Sequence, residues 1–304
     1  MTGTEPRVAT RAQAGTTTPS STPSPQRARR RRGIGDVLRS RWVLVPVVFV
    51  VMMLLWQFIA TKVVSTELLL PTPQRVWESM WTALTQGPYW GRASVYYHFY
   101  QTAKICIVGF LVGSSLGILL GVLMAQSKVL MTALGPYITA FQSLPRIAIA
   151  PIVVLWFGQG FTSNVVITAT VVFLPVLVST LSGLSTVDRG LLEMLRGFSA
   201  SRWQTLRKVS LWAALPSIFA GLQVGIVFSV VGAIVAEWVG ANEGLGVLLL
   251  QAQYSMDVPR SFAILVLLGV LGLVLNGLIV ALQKAVLFWQ RDESTKKEQR
   301  MFST

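Results

Sequence analysis

Apolar positions along this chain fall into long blocks, with short polar stretches between them. The first block runs from about 42 to 60 and begins "WVLVPVVFVVMMLLW". "TAKICIVGFLVGSSLGILLGVLMA" covers about 102 to 125, and "ITAFQSLPRIAIAPIVVLWFG" about 138 to 158. "VVITATVVFLPVLVSTLSGL" covers about 165 to 184, and "LPSIFAGLQVGIVFSVVGAIVAEWVG" about 215 to 240. The last block, "SFAILVLLGVLGLVLNGLIVALQKAVLFW", covers about 261 to 285. Each is on the order of 20 residues, the length at which a helix spans the hydrocarbon of a bilayer. Six transmembrane helices are predicted, the third broken by Pro145 and Pro151, so the fold class is an all-α polytopic membrane protein. Ahead of the second block, "LLLPTPQRVWESMWTALTQG" predicts an amphipathic helix started by proline and lying on the membrane face.

Composition agrees: 53% of the 304 residues are hydrophobic, 12% are charged, and mean hydropathy is +0.60. The net charge of +14 invites a nucleic-acid reading, but the basic residues cluster between and outside the apolar blocks, which points to lipid and not nucleic acid. Of the 26 lysines and arginines, nine lie at or before Arg41, one is Lys128, five fall between Arg189 and Lys208, and five follow from Lys284. With both termini cytoplasmic, these are the inner segments, as the positive-inside rule requires. Residues 1–41 are rich in Thr, Ser, Pro and Arg and poor in large apolar groups, the signature of disorder. The run Arg29 to Arg32 reads as a polybasic flank on anionic lipid. The block at 42–60 is too long for a signal-peptide core and has no clear cleavage site. Cys106 is the single cysteine, which excludes a disulfide framework or a cysteine metal site.

The expected organisation is therefore a tail (1–41), a first span (42–60), an outer segment with the amphipathic helix (61–97), a core (98–284) and a charged cytoplasmic tail (285–304). Within the core, "LLEMLRGFSASRWQTLRKVSLWAALP" (191–216) is basic and sits between two spans. Asp188 can cap a helix of about 189–196, with Gly197 as its stop. "SRWQ" fits a capping box, Ser201 as N-cap and Gln204 reaching back. Two short helices at an angle make a knob suited to docking a soluble partner; a basic interfacial helix on the headgroups is the other reading.

This segment resembles the EAA loop of type I ABC importer permeases, E-A-A-x3-G-x9-I-x-L-P. Glu193 stands at the glutamate, Met194 and Leu195 at the alanines, Ser199 at the glycine, Val209 at the isoleucine, Leu211 at the leucine and Trp212 at the proline. "SASRWQTLRKVSLWAALP", "SLPRIAIAPIVVLWFGQG", "FLPVLVSTLSGLSTVD" and "AEWVGANEGLG" are similar to the nitrate, sulfonate and taurine branch of the family. The resemblance covers about His98 to Lys284. It implies a pore of two copies of the chain, an extracytoplasmic solute-binding protein above and an ATP-binding subunit below, in a bacterial cytoplasmic membrane. It assigns coupling to that ATPase to Glu193, Ser199, Ala200, Ser201, Arg202, Trp203 and Gln204. ATP and Mg belong to the partner, because this chain holds no G-x-x-x-x-G-K-[ST] loop; no cofactor or metal is expected on it, and it is not an enzyme by itself. The solutes implied are a small organic anion or oxyanion (sulfonate, taurine, nitrate) or a pyrimidine-type vitamin precursor, and "LPRIAIAP" is more like the vitamin-precursor members.

Several single residues admit two readings. Gly109, Gly113, Gly117, Gly121 and Ala125 recur every four positions, a stripe that permits close helix approach, within the subunit in preference to between subunits. Arg146 in an apolar block either lines the translocation path or pairs within the fold. Glu237 beside Trp238 is either an outer-gate contact on that path or a side chain at headgroup level. His98 is expected to be interfacial, and Asn276 to bond across helices. An ATP-independent channel or secondary transporter is the competing function class, but such transporters show internal repeats and buried titratable pairs that this sequence lacks.

Overall fold

A computed structural model describes residues 41–63, 69–88, 91 and 93–290. The expected disordered tail, Arg41 apart, and the charged tail beyond residue 290 lie outside the described residues. Among the described residues every regular element is helical. Five helices are long and apolar enough to cross a membrane, or six if one bent pair counts as a single span.

The chain divides into two compact units, Met1–Met52 and Met53–Thr304. The described part of the first is the start of helix α1 (Arg41–Phe58), whose side chains from Leu44 to Val51 are all exposed, as on a helix solvated by lipid. In the second unit α1 ends in a π turn, Ile59–Val63, and the Trp56 indole donates to the Pro71 carbonyl. Helix α2 (Pro73–Thr85) is the amphipathic helix, with Thr72 as N-cap. Val76 is buried while Trp77 and Trp81 are exposed and stacked on each other.

The core is three long helices: α3 (Val95–Gln126), α6 (Phe161–Ser185) and α9 (Leu211–Gly240). The glycine stripe sets the first contact. A Cβ at Gly113 would stand 2.5 Å from the carbonyl oxygen of Ala169, and one at Gly117 would stand 2.8 Å from that of Phe173. Gly109 and Gly121 meet Thr168 and Thr180 in the same way. The stripe therefore packs within the subunit, because only hydrogen in place of a side chain lets the two backbones approach this closely. Partners rise in number together along both helices, so α3 and α6 run parallel. Helix α9 runs the other way against α6: Gly183 meets Ala214, Gly221 meets Ser179, and Gly232 meets Thr168.

Parallel α3 and α6 require the chain between them to cross back. It does so as a broken span, α4 (Lys128–Ser143), a 3-10 turn (Arg146–Ile149) and α5 (Ala150–Phe157), bent by 92°. The expected third span at 138–158 is corrected accordingly. Leu144 is extended, the conformation that a following proline enforces, and Pro145 lacks the N–H that would continue the helix. Helix α10 (Leu245–Tyr254), which the apolar pattern did not separate, leads to the last span, α11 (Val258–Val286). There the amide of Gln223 on α9 donates to Gln283; on this last span Gln283, and not Asn276, makes a side-chain bond to another helix among the described residues.

Gly113→Val should cost about 3 kcal/mol, the upper end for an overpacked interior, because the added carbons would meet backbone. Thermal unfolding of the detergent-purified protein should show a clear loss for Gly113→Val and none for Gly277→Ala, where an added Cβ meets nothing within 4 Å. Equal stability of the two variants would refute the packing.

Candidate functional site

The segment from Asp188 to Ser210 joins the ends of α6 and α9. Helix α7 (Arg189–Gly197) starts on Asp188, whose Oδ1 accepts the Gly190 N–H at 2.8 Å. Its stop falls on Ser199 and not on Gly197: Ser199 has φ +57, and the Ala200 N–H reaches the Leu195 carbonyl. That six-to-one bond is the Schellman closure, which places a left-handed residue, usually glycine, immediately before the residue that donates the bond. Serine there carries a steric cost of about 1–2 kcal/mol, which accounts for the glycine in the EAA pattern at the position of Ser199.

Helix α8 (Arg202–Thr205) opens with a complete capping box. The Gln204 N–H donates to Ser201 Oγ at 3.2 Å, and the Ser201 N–H donates to Gln204 Oε1 at 2.9 Å. The second short helix is not separate, as the sequence suggested. It passes through a π turn, Leu206–Ser210, straight into α9, so residues Arg202–Gly240 form one 39-residue helical run. Leu206 anchors this run at 2% exposure. The tip is apolar and open: Phe198 is 77% exposed and Trp203 66%, with Met194 beside them in sequence on α7. Glu193, Ser199, Ser201, Arg202 and Gln204 are exposed, and Ala200 is half-buried.

Glu237 and Arg146 are elsewhere. Glu237, at the far end of α9, is 1% exposed, so of its two readings a side chain lying among the headgroups does not hold. The Thr102 hydroxyl donates to its Oε1 at 2.6 Å, and the Gly246 N–H donates to its Oε2 at 2.6 Å. The Leu245 N–H donates to Thr102 Oγ1, and the Gly244 N–H donates to His98 Nδ1, each at 2.8 Å. His98 is likewise buried and not interfacial. Tyr97 and Gln101 both donate to Glu243 Oε2. Gly244 has φ +131, and a Cβ there would run into the Glu237 carboxyl, so glycine is required. These bonds clamp residues 243–246 between α3 and α9. Arg146 is half-buried beside an apolar cavity of about 490 Å³, and its guanidinium donates to the Val171 carbonyl of α6 at 3.4 Å. That bond fastens the break of the third span to the core.

Comparison with known proteins now bears on this geometry. Residues 113–288 match the family described as "Binding-protein-dependent transport system inner membrane component". The chain belongs to this family. It is similar to the riboflavin transport system permease protein RibX of Chloroflexus aurantiacus, 33% identical over 81% of this chain and 89% of that protein. It is also similar to the formylaminopyrimidine transport permease protein ThiX of Halalkalibacterium halodurans, 32% identical over 84% of this chain and 99% of the relative. Further relatives are named for aliphatic sulfonates and taurine. Among solved structures, an inward-facing form of the MetNI methionine ABC transporter shares the fold with TM-score 0.57 at 22% identity, over 69% of this chain and 98% of that one. The chain is thus a multi-pass ABC importer permease subunit for small solutes, and its membrane helices are those of that permease fold.

Glu237→Ala would leave the Gly246 N–H and the Thr102 hydroxyl without this buried acceptor, a loss of about 1–3 kcal/mol. Hydrogen exchange should quicken at the amides of residues 244–246 in this permease, with a smaller change in Glu237→Gln, which keeps one acceptor oxygen. Unchanged protection in Glu237→Ala would remove the clamp from the account.

Proposed function

We infer that Asp188–Ser210 is the surface on which this permease docks a separate ATP-hydrolysing subunit, and that the docked loop drives the pore through α9. The open apolar tip carries the reading: Phe198 and Trp203 stand in water unless a partner covers them, and exposed aromatic clusters mark interaction sites. A capped, Schellman-closed turn holds that tip in one geometry, which a force-transmitting contact needs. The basic character of the same stretch supports a cytoplasmic position, with both termini on that side.

The pore is formed by two copies of the chain, because six spans and one such loop supply half of a symmetric path. An extracytoplasmic binding protein delivers the solute, a sulfonate such as taurine, an oxyanion, or a vitamin or vitamin precursor of the kind for which the relatives are named. ATP and Mg are held by the partner subunit.

An Ala200→Asp, Glu193→Lys double variant tests the docking. A charge at the half-buried Ala200 has no partner on desolvation, and Glu193→Lys reverses the charge of α7. The variant should insert normally, fail to copurify with its ATPase, and lose solute-stimulated ATP hydrolysis and import. Copurification and import at the parental rate would overturn the assignment.

A further inference from the structure

The half-buried Arg146 carries a charge that the protein does not balance. Its guanidinium is a cation with five N–H donors, yet among the described residues it makes one bond, the 3.4 Å contact with the Val171 carbonyl. Val171 stands ten residues from the Phe161 end of α6 and fourteen from the Ser185 end, about 15 Å from the nearer one. The charge is therefore held deep in the spanning region, where an ionisable group is costly without a partner. No carboxylate is among the described residues that line the adjacent cavity. Of the twelve Asp and Glu in the sequence, Glu237 alone falls within an apolar block. It is buried, and its two carboxyl oxygens already accept from Thr102 and Gly246. A second copy of the chain brings the same twelve acids, so it cannot set a carboxylate at this depth either.

The cavity beside Arg146 defines what could carry the missing charge. Its volume of about 490 Å³ is in the range that holds small organic ligands. Val112 and Leu116 of α3, Tyr137 and Phe141 of α4, and Phe173 of α6 form its walls. Thr170 also lines it, but its hydroxyl donates to the Val166 carbonyl. A guanidinium fork matches the paired oxygens of a carboxylate or sulfonate, and the apolar, partly aromatic walls match a hydrocarbon body beside that group. A bare oxyanion would leave the walls without contact, and an ammonium on the same body would find no acid. We propose that this cavity binds an organic anion, a carboxylate or sulfonate on an apolar body without an amine, with Arg146 as its anchor. The inference rests on the reading of this chain as a permease for small solutes and narrows the class of solute, away from nitrate and taurine. It does not depend on ATPase docking.

The test uses the full-length permease alone, in nanodiscs of phosphatidylcholine, so that no anionic lipid competes. Binding of radiolabelled benzenesulfonate and benzoate is measured by equilibrium dialysis. Benzenesulfonamide is the neutral probe of the same shape, and taurine is the amine-bearing competitor. At least one of the two anions should bind roughly tenfold tighter than benzenesulfonamide, the worth of one charge-assisted pair. Arg146→Gln should abolish that preference, and Arg146→Lys should restore part of it, because lysine keeps the charge and loses the fork. Val112→Phe leaves the guanidinium in place and fills the cavity, so it should weaken the anion severalfold. That variant also reads the site if Arg146→Gln, which gives up the Val171 bond, fails to fold. Taurine should not displace the bound anion. Binding of neither anion, equal binding of anion and sulfonamide, parental affinity in Val112→Phe or in folded Arg146→Gln, or displacement by an equal concentration of taurine overturns the inference. Copurification of the same variants with the ATPase is scored separately, so a docking failure is told apart from a failure of this site.

Discussion

Everything in this subunit depends on how closely α3, α6 and α9 approach one another. Lipid tails are as apolar as leucine, so there is no hydrophobic force to press two membrane helices together, and association relies on packing and polar contacts. Glycine at 109, 113, 117 and 121 lets α3 lie with its backbone on α6, and Gly183, Gly221 and Gly232 do the same at the α6–α9 seam. The resulting three-helix slab is tight, and the other elements are attached to it. Arg146 ties the broken third span to its face, and Glu237 with Thr102 ties down the segment after α9.

A tight slab also fits the proposed coupling role of the loop at Asp188–Ser210. Because the capping box begins a helix that continues through one π turn to Gly240, a displacement at Trp203 has no flexible hinge in which to dissipate. The short α7 on the other side is closed at Ser199 in a strained conformation, held there by the bond from Ala200 to Leu195. The two arms thus differ in kind: one is an extension of a span, the other a bracket that orients it.

Much of this was legible in the chain. The apolar blocks located the spans because their length and composition alone decide the matter, and "SRWQ" declared its capping box because both of its bonds are local in sequence. Pro145 and Pro151 announced a break in the third span, but not its 92° bend, which is set by contacts with α6. The burial of Glu237 was hidden for a different reason: its partner Thr102 lies 135 residues away, and no local pattern links them. Two glycines flanking Leu245 were the available clue, since Gly244 must leave room for that carboxyl. Ser199 was visible as a departure at a glycine position, yet only the left-handed backbone shows why glycine is favoured there.

The claim that tip and span move as one piece is tested most directly by distance. Spin labels at Trp203→Cys and Val224→Cys, both exposed positions, in a Cys106→Ser background of the complex with its ATPase, should lie about 30 Å apart along one helix. The account predicts a single distance that is unchanged between the nucleotide-free and ATP-bound states. A shift of about one helical turn, roughly 5 Å, or two populations in either state, would show a hinge at the π turn and contradict it.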